Sequence, residues 1–238
     1  MHKSQLNTSV AERSTVEVVP SNNRRNFLRH AGLTTVAGVA FLAVGCKKDD
    51  GPIAAGTVDL GSGDVGILNY AYALEQLEAA FYTQVIATPY SSISASELAL
   101  LTDIRDHEII HREFFKTALG ANAIQGLEVN FTAIDFTSRA SVLATAKVFE
   151  DTGVAAYNGA GKLIKDGGYL LLAGKIVSVE ARHAAAIRDL LNPLTASFAG
   201  DDIVDNNGLD AAKKPADILV AVQPFLKTPL SGANLPTS

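Results

Sequence analysis

Glu108-Ile109-Ile110-His111, near the middle of the chain, is matched 72 positions later by Glu180-Ala181-Arg182-His183. Residues three apart on a helix share a face, so each Glu-His pair can reach a single point in a core. Beyond residue 45 the chain has three histidines, His107, His111 and His183, and eight glutamates. That two of three histidines each follow one of so few glutamates at this spacing points to a shared job. His107, with no glutamate at that spacing, reads as a bystander.

Working outward, both pairs fall within long stretches of helical periodicity, and there are four such stretches. The first runs from about Asp64 to Ile86, with Ile67, Leu68, Leu74, Leu77, Phe81 and Val85 as its apolar positions, and Thr88-Pro89 ends it. The second opens on Ser94-Ala95-Ser96-Glu97, a capping-box pattern, and stops at Gly120. The third spans about Ser138 to Ile164, with Gly167-Gly168 as the break after it. The fourth spans about Tyr169 to Leu191 and is closed by Asn192-Pro193. About nine residues join the first two helices and only a few join the last two, but roughly 17, Ala121 to Thr137, lie between the second and third. The expected fold is therefore all-α: a four-helix bundle over residues 64–192 with one long crossover between helices 2 and 3.

If the second and fourth helices each supply Glu and His, the other two should each supply one inward glutamate. The third helix has only Glu150, while the first offers both Glu75 and Glu78. The two halves of the chain choose between them. Glu75 and Glu108 are 33 positions apart, Glu150 and Glu180 are 30 apart, and each of Glu75 and Glu150 is followed seven positions later by tyrosine, Tyr82 and Tyr157. Glu78 would break that match, so Glu75 is taken as the inward residue and Glu78 as an outer neighbour. The two tyrosines read as core, and Glu113, Arg182 and Arg188 as surface or supporting residues.

Taken together, these residues resemble the ferritin-like di-iron superfamily, and more closely its bacterial branch related to plant desiccation-related proteins. The resemblance implies a ferritin-like four-helix bundle holding two metal ions, iron first and manganese second. It implies that Glu108 and Glu180 bridge the ions, that His111 and His183 each bind one, and that Glu75 and Glu150 are the terminal carboxylates. It implies iron and oxygen or peroxide redox chemistry. A non-catalytic stress-protection or binding module on the same bundle is the alternative.

The first 45 residues have a different character. Asn23-Arg24-Arg25-Asn26-Phe27-Leu28-Arg29 precedes a short apolar stretch, Ala31 to Gly45, which is the layout of an export signal. Arg24 and Arg25 with Phe27-Leu28 resemble a twin-arginine motif. Cys46, the only cysteine, has no intramolecular disulfide partner, and after Ala43-Val44-Gly45 it resembles a lipidation site. Residues 46–63 are expected to be a flexible lipidated tether and residues 193–238 an appendage on the bundle, with one short helix between Pro215 and Phe225. Beyond residue 45 there are 15 basic and 23 acidic residues, a net charge of −8. An acidic surface of this kind excludes nucleic acid as a partner. The expected location is the cell envelope, and the expected partners are the membrane, through the lipid, and the export machinery. A homodimer is left open.

Overall fold

The computed structural model describes residues 56–238. The export signal with Arg24 and Arg25, the lipidation candidate Cys46 and the start of the tether lie outside the described residues. Four long helices carry the fold: α1 (Gly63–Ala87), α2 (Ala95–Leu119), α3 (Arg139–Gly161) and α4 (Gly167–Leu191). α1 packs on α2, α3 packs on α4, and α1 also meets α3. Among the described residues no helix is long and apolar enough to cross a membrane.

The helix ends follow local chemistry, with two corrections. Ser94 caps α2 by accepting the Glu97 N–H at 3.1 Å, and Gly120 closes it at a positive φ of 53°. The reciprocal half of the expected capping box is not formed. The Glu97 carboxylate instead accepts from Arg139 Nε at 2.8 Å, tying the start of α2 to the start of α3. Gly167 and Gly168 do not break the chain after α3 but form the first turn of α4. Asp166 satisfies that turn by accepting from Gly168 N at 2.7 Å and Tyr169 N at 3.1 Å.

α1 is the central helix. Every residue from Gly66 to Ala79 is buried, whereas α4 buries only a stripe of Ile176, Glu180, His183, Ala184, Ile187 and Arg188. A helix covered on all sides must satisfy its polar side chains internally, and α1 uses them to strap down the crossover. Asn69 donates to Asn122 O at 3.0 Å and accepts from Ile124 N at 2.9 Å. Gln76 accepts from Leu127 N at 2.8 Å. Below the straps, Phe81 is fully buried against Tyr82, Phe131, Phe136 and Phe149. Burial of such a side chain contributes about 1.5–3 kcal/mol.

The ends of the described chain meet. Val58–Asp59 (β1) pairs in parallel with Leu230–Ser231 (β2), Val58 opposite Leu230 and Asp59 opposite Ser231. Leu60 is wholly buried in the core, and its carbonyl accepts from Asn69. Residues 58–60, expected to belong to a flexible tether, instead pair with β2 and enter the core, because Leu60 has an apolar site to fill. α5 (Pro215–Val222) sinks Ile218 and Val222 into the same core. The segment leading to it passes α3 so closely that a Cβ on Gly159 would collide with Lys213 O. Arg188, read as surface or support, is only 2% exposed. Its guanidinium donates to both carboxylate oxygens of Asp151 and of Asp202, at 2.8–3.0 Å, holding the segment after α4 against α3.

Candidate metal centre

Glu75, Glu108, Glu150 and Glu180 come one from each of α1 to α4, and all four are completely buried. Most of one helical turn after Glu108 and Glu180, His111 and His183 are buried beside them. His111 Nδ1 lies 2.8 Å from Glu180 Oε1, 3.5 Å from Glu75 Oε2 and 3.8 Å from Glu108 Oε2. His183 Nδ1 lies 2.8 Å from Glu108 Oε1, 3.6 Å from Glu150 Oε2 and 3.7 Å from Glu180 Oε2. Each histidine is thus closest to the glutamate of the other pair, a near-twofold arrangement that follows the repeat in the sequence.

Two groups of four residues could each hold an ion, with ligand atoms all within 4.8 Å of one another. One is Glu75, Glu108, His111 and Glu180; the other is Glu108, Glu150, Glu180 and His183. Glu108 and Glu180 belong to both. Eight buried atoms of these six residues make no hydrogen bond: both oxygens of Glu108 and Glu180, one each of Glu75 and Glu150, and Nδ1 of both histidines. Some lie only 2.8 Å apart, so proximity is not lacking; alignment is. Leaving a buried polar atom unmatched costs about 1–3 kcal/mol. A donor set of four carboxylates and two imidazoles, misaligned with one another yet close together, fits a pair of divalent cations.

The remaining carboxylate oxygens are held by the tyrosines. Tyr82 on α1 donates to Glu150 Oε1 at 2.5 Å, and Tyr157 on α3 donates to Glu75 Oε1. The reading of both as plain core residues misses this. The signal was the seven-residue spacing, but it links each tyrosine to the glutamate of the opposite half rather than its own.

Electrostatics sharpen the picture. Burial, reinforced by Glu180, raises the pKa of Glu75 and holds that of Glu108 well above the carboxylate range. Burial lifts Glu150 to about 7 despite the opposing pull of His183. Burial acts on Glu180 too, but His111 and His183 outweigh it and lower its pKa. Burial disfavours charge on the histidines, yet the carboxylates around them win and push His111 and His183 each up to about 12. The metal-free pocket therefore holds protons where cations would otherwise stand.

Two neighbours differ from expectation. Glu78, read as an outer neighbour, is buried within the same charge field, and burial followed by Glu108, Glu180 and Glu150 raises its pKa well above normal. It belongs to neither four-residue group. Its room comes from Gly153, where a Cβ would stand 3.1 Å from Glu78 Oε1. Gly153 is three positions after Glu150, as Glu78 is after Glu75, so one half of the repeat accommodates the extra carboxyl of the other. His107, read as a bystander, is bonded through Nδ1 to His183 Nε2 at 2.9 Å, with the two rings 10° from parallel. Glu113 pairs on the surface with Arg112, and Arg182 is exposed.

Residues 63–193 match the family model of the ferritin-like domain. No curated protein matches the chain.

Proposed function

Starting from the chain's membership of the ferritin-like domain family, we propose that its bundle holds two transition-metal ions for redox chemistry with dioxygen or peroxide. The observation that carries this reading is the set of eight buried ligand atoms without hydrogen bonds, drawn from all four helices but from glutamate and histidine alone. Glu108 and Glu180 would be shared by both ions, with Glu75 and His111 completing one position and Glu150 and His183 the other. Four carboxylates offset the four positive charges of two divalent ions. Iron is the first choice and manganese the second for such an oxygen-rich set with imidazole.

Bound iron would supply electrons to dioxygen or peroxide. The chain's own residues do the rest. Tyr82 and Tyr157 hold the terminal carboxylates in place through their outer oxygens, leaving the inner oxygens free. The buried walls exclude water, so the charge of the carboxylates is little screened. Arg24, Arg25 and Cys46 support export of the protein and its anchoring to the cell envelope by lipid.

The test begins with anaerobic Fe(II) loading of chelator-stripped protein and metal analysis. Two ions per chain are expected, with an optical change on addition of dioxygen or peroxide. No binding would remove the metal reading altogether. Two ions without any response to either oxidant would leave a non-catalytic stress-protection module.

A further inference from the structure

The near-twofold site is not symmetric behind its histidines. His183 presents Nδ1 to Glu108, Glu150 and Glu180, and its other nitrogen, Nε2, is bonded to His107 Nδ1 at 2.9 Å. His111 makes no such bond among the described residues. The sequence explains the difference. His107 immediately precedes Glu108, and at the equivalent place before Glu180 stands Val179, whose side chain can neither donate nor accept. His107 itself is exposed, so it is not held there by burial of its own.

A histidine that binds a metal through one nitrogen is oriented by what its other nitrogen bonds to, and that partner fixes the tautomer. In neutral His183 an Nε2–H donated to His107 Nδ1 would leave the Nδ1 lone pair turned toward the carboxylates and available to an ion. His111 must instead find that orientation without a protein partner. We propose that His107 is a positioning residue that makes the two metal positions unequal, so that the position of Glu108, Glu150, Glu180 and His183 holds its ion more tightly. This rests on the two-ion reading above.

The experiment is an anaerobic titration of chelator-stripped, full-length protein with Co(II), followed by calorimetry and by the visible absorption of the bound ion. Wild-type protein should fill its positions in two separable steps. His107→Ala should weaken the tighter step by about 10-fold or more and leave the weaker one unchanged. His107→Gln, which restores an acceptor, should recover part of that loss. In a His183→Ala background, adding His107→Ala should change nothing further; in a His111→Ala background its full effect should remain. Since His107 is exposed, unchanged melting of the metal-free variant confirms that only the site is affected. Two wild-type steps that His107→Ala leaves within twofold, or an effect of His107→Ala that persists without His183, would overturn the inference and leave the two-ion reading standing. No binding by wild-type protein would remove both.

Discussion

Tyr157 on α3 reaches across the bundle to Glu75 on α1, and the contact is returned by Tyr82 on α1, which donates to Glu150 on α3. The two hydrogen bonds cross between the halves of the chain, so each half orients the terminal carboxylate of the other. Tyr157→Phe should therefore weaken chiefly the ion shared by Glu75 and His111, and Tyr82→Phe the ion shared by Glu150 and His183. A loss of about 10-fold in each case is expected from removing a partner behind a ligand. Titration with Co(II) or Fe(II) would show it, and a loss at the wrong position would contradict the crossed arrangement.

The shared carboxylates should behave differently from the terminal ligands. Glu108→Ala and Glu180→Ala should each abolish binding of both ions, whereas His111→Ala and His183→Ala should each impair mainly one. Glu78→Gln removes a buried ionisable group that belongs to neither position, so two-ion stoichiometry should survive it. Metal analysis of the five variants separates these outcomes, and loss of both ions in Glu78→Gln would show that the first helix supplies a second ligand.

Metal removal should make stability strongly dependent on pH. Glu150, raised from its usual 4.5 to about 7, keeps its proton in the folded state where the unfolded chain has lost it. Its contribution therefore declines as pH rises from 4.5 through 7. Glu75 and Glu108, also raised, act in the same direction. His111 and His183, raised from 6.5 to about 12, contribute fully below 6.5 and progressively lose that contribution as pH climbs toward 12. Chelator-stripped protein should thus melt at lower temperature at pH 8 than at pH 5.5. Metal-loaded protein should not, since cations replace the protons at pH 8. A metal-free melting temperature that rises with pH would refute this account of the pocket.

Gly159 and Gly174 make a paired test of packing. A methyl group on Gly159 would collide with the Lys213 carbonyl, whereas one on Gly174 in α4 meets nothing within 4 Å. Gly159→Ala should destabilise the protein by about 1–3 kcal/mol or more, and Gly174→Ala should stabilise it by about 1 kcal/mol. Urea unfolding measures both.

The bundle was legible because its signals are local. Ser94 before a helix, Gly120 after one, and apolar residues on a helical period all act within a few residues of themselves. Four of the six convergent residues were legible because helix geometry turns a spacing of three into a shared face, and Glu75 and Glu150 because the two halves of the chain repeat. What escaped the sequence depends on partners far along the chain. The carboxylate of Glu97 could serve its own cap or Arg139, 42 positions away, and only the fold decides for Arg139. His107 looks idle until α4 brings His183 beside it, 76 positions on. Gly167 and Gly168 misled because glycine marks both the end of one helix and the permissive start of the next, and the deciding residue was the capping Asp166.

The pairing of β1 with β2 has a geometric consequence for the proposed lipid anchor. Val58 is 12 positions from Cys46, a length of chain that spans about 40 Å at full stretch. α1, with 25 residues, is about 37 Å long. A lipid on Cys46 would thus give the bundle a leash of about the length of α1. Because Leu230 and Ser231 lie alongside Val58 and Asp59, a lipid on Cys46 would hold both β1 and β2 within that same distance of the bilayer.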